Sequence, residues 1–355
     1  MNSRVVIHEV ILRAIVERET NRYLSMLGKT LGLSLVLVSI IFAEATTVSS
    51  SPEIHLLKKS DVEKMVESLS NWGRWGKSDE KGALNLITPL KRKAALSEVK
   101  EGVSISLAHN VIKVKVGVSQ PFEHRMVETG QTPGAESSGD VYSVQYHGFT
   151  QTHLDALCHV FHKGQMYNGF SQQEVTDKGA AKLSVINIKN GIFTRGVLMD
   201  FPRLLGIDYL DGKRAIYPED LDAWVKKSGI KVESGDAVFI RTGRWAREES
   251  EGTWDIQNGS AGLHASCMPW FKQRDVAVMA SDLALDVMPS GVEGVRLPVH
   301  LITIVALGAP IIDDCDLEAL SNALAARHRS TFLLTVEPLA VDGGTGSPVN
   351  PMAIF

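Results

Sequence analysis

Residues 147–159 read HGFTQTHLDALCH and place His147, His153, Asp155 and His159 within thirteen positions of a chain that holds eleven histidines in 355 residues. If this stretch is extended, His147, Phe149, Gln151, His153, Asp155 and His159 share a parity, and their side chains share one face. His153 and Asp155, two apart, stand roughly 6.6 Å apart at Cα, close enough for both to lean onto one ion. His147 lies six residues upstream of His153, roughly 20 Å if fully extended, and joins the pair only if Gly148 bends the chain. Imidazole with carboxylate suits zinc, manganese or iron. His159 is either a third ligand or the group that moves a proton beside the ion, because imidazole titrates near neutral pH. His162 is expected to face solvent or a neighbouring loop. The competing reading is a strand whose histidines are simply hydrogen-bonded.

The composition, 44% apolar and 22% charged with a formal net charge of −4, is that of a globular protein with a full core. No run of Lys and Arg suggests nucleic acid as a partner. Cys158, Cys267 and Cys315 are far apart and form no CxxC pair, so a metal here must use imidazole and carboxylate. The run LGLSLVLVSIIFA at 31–43, followed by Ala43-Glu44-Ala45, has the form of an export signal and is short for a membrane span. It predicts a removed segment over 1–45, with Met26 as a start of more ordinary spacing, a linker over 46–56 and one domain over 57–355. The mature protein is then exported and has no stable membrane span; a cytoplasmic location is the alternative.

Several elements must position the histidine stretch. Ser60-Asp61-Val62-Glu63 has capping-box form and opens a helix to about Leu69, and Thr88-Pro89 opens a second that Gly102 ends. Short β-rich runs fall at 103–108, 111–118, 141–147, 183–188, 195–200 and 236–242. Helical patterns at 218–227, 265–274 and 315–326 then alternate with apolar strands at 275–281, 301–306 and 331–336. The chain is a mixed α/β domain without a visible repeat.

The run THLDALCH resembles the metal-binding signature H-x-G-T-H-x-D-x-P-x-H of the cyclase-like hydrolase family, which includes bacterial kynurenine formamidase and isatin hydrolase. Thr152, His153, Asp155 and His159 stand at matching places; Phe149, Gln151 and Leu157 replace the family's first histidine, glycine and proline. By this resemblance His147 or Gln151 substitutes for the missing ligand, or the site holds fewer ligands. WGKSDEKGALNLITP at 75–89, RGVLMDF at 195–201, SGDAVFIRTG at 234–243 and GGTGSPVNPMAIF at 343–355 are also similar to longer family members. PVHLITIVALGAPIIDD resembles the second-metal stretch, which makes His300 a ligand and puts Asp313 where a glutamate is usual. Read on their own, His300 is equally a strand-start histidine and Asp313–Asp316 a helix N-terminus.

The resemblance implies a single α/β domain of the swivelling β/β/α type, a divalent zinc or manganese ion, and homo-oligomers. It also implies hydrolysis of an aryl amide or lactam, such as N-formylkynurenine or isatin, by water activated at the ion. Trp72, Trp75, Phe149 and Tyr167 are possible aromatic walls for such a ring or ordinary core. An exported, non-catalytic metal- or ligand-binding protein is the competing function, and lactone or cyclic-imide hydrolysis a third. His264 reads as a helix-entry residue or, alternatively, as one that reaches the site; Asp282 stands at a strand end, where α/β proteins often place functional acids; and GGTGSP reads as a rigid turn near the site rather than a phosphate loop.

Overall fold

Alternating apolar runs and turn residues over the last 250 residues build one large sheet. The computed structural model describes residues 56–115 and 119–355; the expected export signal, the Met26 start and all but the last residue of the expected linker lie outside them. Nine strands make the sheet: β1 (Ser104–Ser106), β2 (His153–Asp155), β3 (Ile192–Asp200), β4 (Ala237–Arg241), β5 (Val278–Ser281), β6 (Ile311–Asp313), β7 (Thr331–Val336), β8 (Gly346–Pro348) and β9 (Met352–Ile354). Their order is β1-β9-β7-β3-β4-β5-β6-β2-β8. The centre, β3-β4-β5-β6, is parallel, and its strands are almost wholly buried, as expected of a sheet covered on both faces. Antiparallel strands complete the two ends. This is the expected mixed α/β domain, and among the described residues no helix is long and apolar enough to cross a membrane.

Register at one end of the sheet positions the functional residues. β2 lies between β6 and β8, antiparallel to both, with His153 opposite Asp313 and Pro348, and Asp155 opposite Ile311 and Gly346. Directly opposed residues point to the same face, so Asp313 shares a face with His153 and Asp155. Leu154, between them, points the other way into the core and is fully buried.

The expected helices form with some shifted ends: α1 (Lys59–Ser68) is capped at Lys58, whose amide donates to Asp61, and not by a Ser60–Glu63 box; α2 (Pro89–Ala95), where Thr88 accepts from the Lys91 amide, stops short of Gly102; and α3 (Pro218–Ser228) has Pro218 at its first position. Four of the expected strands differ. Residues 301–306 are helical: an α-turn over Pro298–Leu301 continues as a wider π-turn over Ile302–Leu307. Its β-branched side chains are buried all round, and its last carbonyls are taken from outside, by the Trp72 indole at Val305 and by Asn71 at Ala306 and Leu307. Tertiary partners therefore override strand propensity. Residues 183–188 form a short 3-10 turn over Val185–Ile188 instead of a strand, because the Leu183 amide is drawn to Glu80 and the Val185 amide to Gly344. Within 111–118 the described residues 111–115 form no strand, and the strand expected over 141–147 spans Gly139–Ser143 and gives way to a turn at 147–150.

Candidate metal centre

The turn at 147–150 brings His147 back onto β2, so that its Nδ1 lies 2.8 Å from Asp155 Oδ1. His153 Nε2 stands 3.4 Å from the same oxygen, and His159 Nε2, from the loop after β2, stands 3.7 Å from Asp155 Oδ2. The His147 and His159 rings stack at 3.8 Å, 6° from parallel. Gly346 is required here: a Cβ on it would come within 3.0 Å of His147 Cε1 and would strike the Leu154 carbonyl. The tail expected to pack near the site therefore does so, and Thr345 also bonds His147 Nε2 at 2.9 Å.

Two triads of ligand atoms result, His147/His153/Asp155 and Asp155/His300/Asp313, each with its atoms within 4.8 Å of one another. Asp155 belongs to both. His147 Nδ1, Asp155 Oδ1 and Asp313 Oδ1 are buried without a hydrogen-bond partner, since the short His147–Asp155 approach lacks hydrogen-bond alignment. Buried polar atoms are rarely left unsatisfied, and a cation in each triad would satisfy them, His147 Nδ1 and Asp155 Oδ1 in the first and Asp313 Oδ1 in the second. The donor set, imidazole and carboxylate without thiolate, fits a divalent ion.

The buried groups shift one another's titration. Burial opposes ionisation of Asp155, yet the imidazoles of His159, His147 and His153 outweigh it and hold the carboxyl well below its ordinary value. Burial lowers His153, but the carboxylates of Asp155, Asp313 and Asp314 raise it to about 9. His159 moves the other way: burial first, then the nearby His147, His300 and His153, push it down to about 4. Burial raises Asp313.

Of the residues singled out from sequence, His147, His153, Asp155, His159, His300 and Asp313 converge on one cleft of about 320 Å³. Gln151 does not join them. Its backbone carbonyl accepts from His153 Nδ1, and its side-chain amide donates to the Ile112 carbonyl, because the turn that admits His147 rotates 151 away. Phe149 lines the cleft, whereas Tyr167 is buried against Asp79 and Trp72 is tied to Val305, both as core. His264 caps the short helix at Ala265–Cys267.

Supporting residues escaped sequence reading. Asp286 accepts the Val299 and His300 amides at the helix start and takes His300 Nδ1 at 2.7 Å, which leaves Nε2 facing Asp313 at 2.9 Å. Buried Arg244 donates to Asp314 at 2.7 Å and to the Phe149 carbonyl at 2.7 Å, pinning the 147–150 turn. Asp282 holds Arg244 in turn, accepting the Thr242, Gly243 and Arg244 amides where the helix Arg244–Glu251 begins. Such second partners fix the orientation of ligands. The acid at 282 therefore anchors backbone rather than facing the cleft. An Asp-x₁₃-His spacing ahead of a Pro-started helix was the one signal available for Asp286.

Comparison with known proteins agrees with this architecture. The Cyclase family model matches residues 105–286. A crystal structure of a novel cyclase is 32% identical, with a TM-score of 0.74 over 81% of this chain and 100% of that one. Isatin hydrolase A from Labrenzia aggregata, bound to benzyl benzoate, and its namesake from Ralstonia solanacearum are each 17% identical, with TM-scores of 0.52 over 75% of this chain and 98% and 97% of theirs. At that identity they share the fold. No curated protein matches by sequence.

Proposed function

Because this chain belongs to the cyclase family, we propose that it is a metal-dependent hydrolase that cleaves an amide or cyclic amide bearing an aromatic ring. The observation that carries the reading is the pair of donor triads that share Asp155, with three buried ligand atoms lacking any other partner. His147, His153 and Asp155 would hold one divalent ion, and Asp155, His300 and Asp313 a second. When bound, such an ion lowers the pKa of water and polarises a carbonyl.

The chain's own groups supply the rest. His159 is neutral at physiological pH, since its pKa lies near 4. Its Nε2, at the cleft, accepts the proton that the attacking water gives up and returns it to the leaving nitrogen, so that one C–N bond breaks as one C–O bond forms. Stacking on His147 fixes the ring plane during that transfer. Phe149 and Leu297 provide an apolar wall for an aromatic ring, and Gln145 and Gln257 bring amides to the same cleft. The non-catalytic reading drew on the loss of a ligand at Phe149. The approach of His147 to Asp155 removes that ground. Assay of aryl formamides and of isatin, with and without chelator, tests the proposal: metal-dependent turnover supports it, and bound metal without turnover on a broad amide panel overturns it.

A further inference from the structure

Arginines in the described chain are commonly matched to a carboxylate. Arg74 pairs with Asp275, Arg195 with Asp236, Arg241 with Asp200 and Glu318, Arg244 with Asp314, and Arg327 with Glu101. Arg296 differs. It lines the cleft of the donor triads, it is exposed, and among the described residues it has no carboxylate partner. The same cleft is also lined by the neutral side chains of Gln145, Gln257, Leu297 and Phe149.

A guanidinium facing the same cavity as a divalent cation is repelled by it unless an anion lies between them. With five donors in a planar fork, its natural complement is a carboxylate. The carboxamides of Gln145 and Gln257 are neutral donors suited to the same anion, and no acidic side chain other than the ligands Asp155 and Asp313 lines the cleft. We infer that Arg296 selects substrates carrying a carboxylate in addition to the scissile amide, so that the preferred substrate is an acidic aryl amide rather than a neutral one. The inference rests on the amide-hydrolase reading for the bond cleaved, but the anion preference belongs to the cleft itself.

Calorimetric titration of the metal-loaded protein with N-formylanthranilate and with its methyl ester, alongside turnover of both, separates the two ideas. The para isomers, 4-formamidobenzoate and its methyl ester, cover a more distant anion. In at least one isomer pair the acid should bind on the order of tenfold more tightly than the ester, as a charge-assisted hydrogen bond allows. Arg296→Gln should erase that preference through the acid alone, leaving the ester's affinity and metal content unchanged. Arg296→Lys should retain part of it. Equal affinity for acid and ester in both pairs, or a preference that survives in Arg296→Gln, overturns the role of Arg296, since the metal alone would then account for binding. Selective binding of the acid without hydrolysis would retain Arg296 as a ligand determinant and sink the hydrolase.

Discussion

Replacing Asp155 with Asn changes one atom of a side chain that is 1% exposed, so the packing of β2 against β6 and β8 is kept while the charge common to both triads is removed. A pair of unit charges about 4 Å apart in a medium of effective dielectric near 20 interacts by about 4 kcal/mol, and a divalent ion feels more. Since 1.4 kcal/mol is a factor of ten, the variant should bind zinc or manganese at least about 10³-fold more weakly. The assay is competitive titration against a fluorescent chelator, with elemental analysis after dialysis. Circular dichroism and the unfolding midpoint of the metal-free proteins serve as fold controls, because the metal-free variant should still unfold cooperatively. Retention of wild-type affinity and stoichiometry by a folded Asp155→Asn protein would refute the convergence of the two triads on that carboxylate.

Three further outcomes are expected. His147→Ala should weaken binding by more than the 10–100-fold typical of losing an outer partner, whereas Gln151→Ala should leave it unchanged, as read by the same titration. The reverse pattern would return the missing ligand to Gln151. His300→Ala should reduce metal content by one equivalent per chain in elemental analysis while sparing the His147 triad; undiminished stoichiometry would remove His300 and Asp313 from the ligand set. Arg244→Met leaves Asp314 buried without its partner, a loss of 3–5 kcal/mol in comparable cases. Because burial already lifts the Asp314 carboxyl to about 7, it can relieve part of that cost by taking up a proton, so denaturant titration should show a loss near the lower end, about 3 kcal/mol.

The sequence made the one-face relation of His153 and Asp155 legible, because strand alternation is local and Leu154 between them is plainly apolar. Capped helices were legible for the same reason: the Thr88 cap and Pro218 act within one turn. Long-range partners were not. LITIVA reads as a strand in isolation and becomes helical only because Asn71 and Trp72, more than 200 residues away, take its carbonyls. Asp286 and Arg244 were hidden for a related reason: their partners lie beyond one turn, 14 residues on for Asp286 and 70 and 95 away for Arg244, and meet them only in the folded chain. His147 shows both sides: residue type and position marked it as a donor, but the extended-strand reading set it roughly 20 Å away, and only the turn made it a neighbour of Asp155.

The most direct test of the central claim is an anomalous difference map from crystals grown with manganese. A peak bounded by His147 Nδ1, His153 Nε2 and Asp155, with a second beside His300 and Asp313, is the predicted result. Fully occupied manganese elsewhere in the chain, with these side chains bonded only to one another, would contradict it.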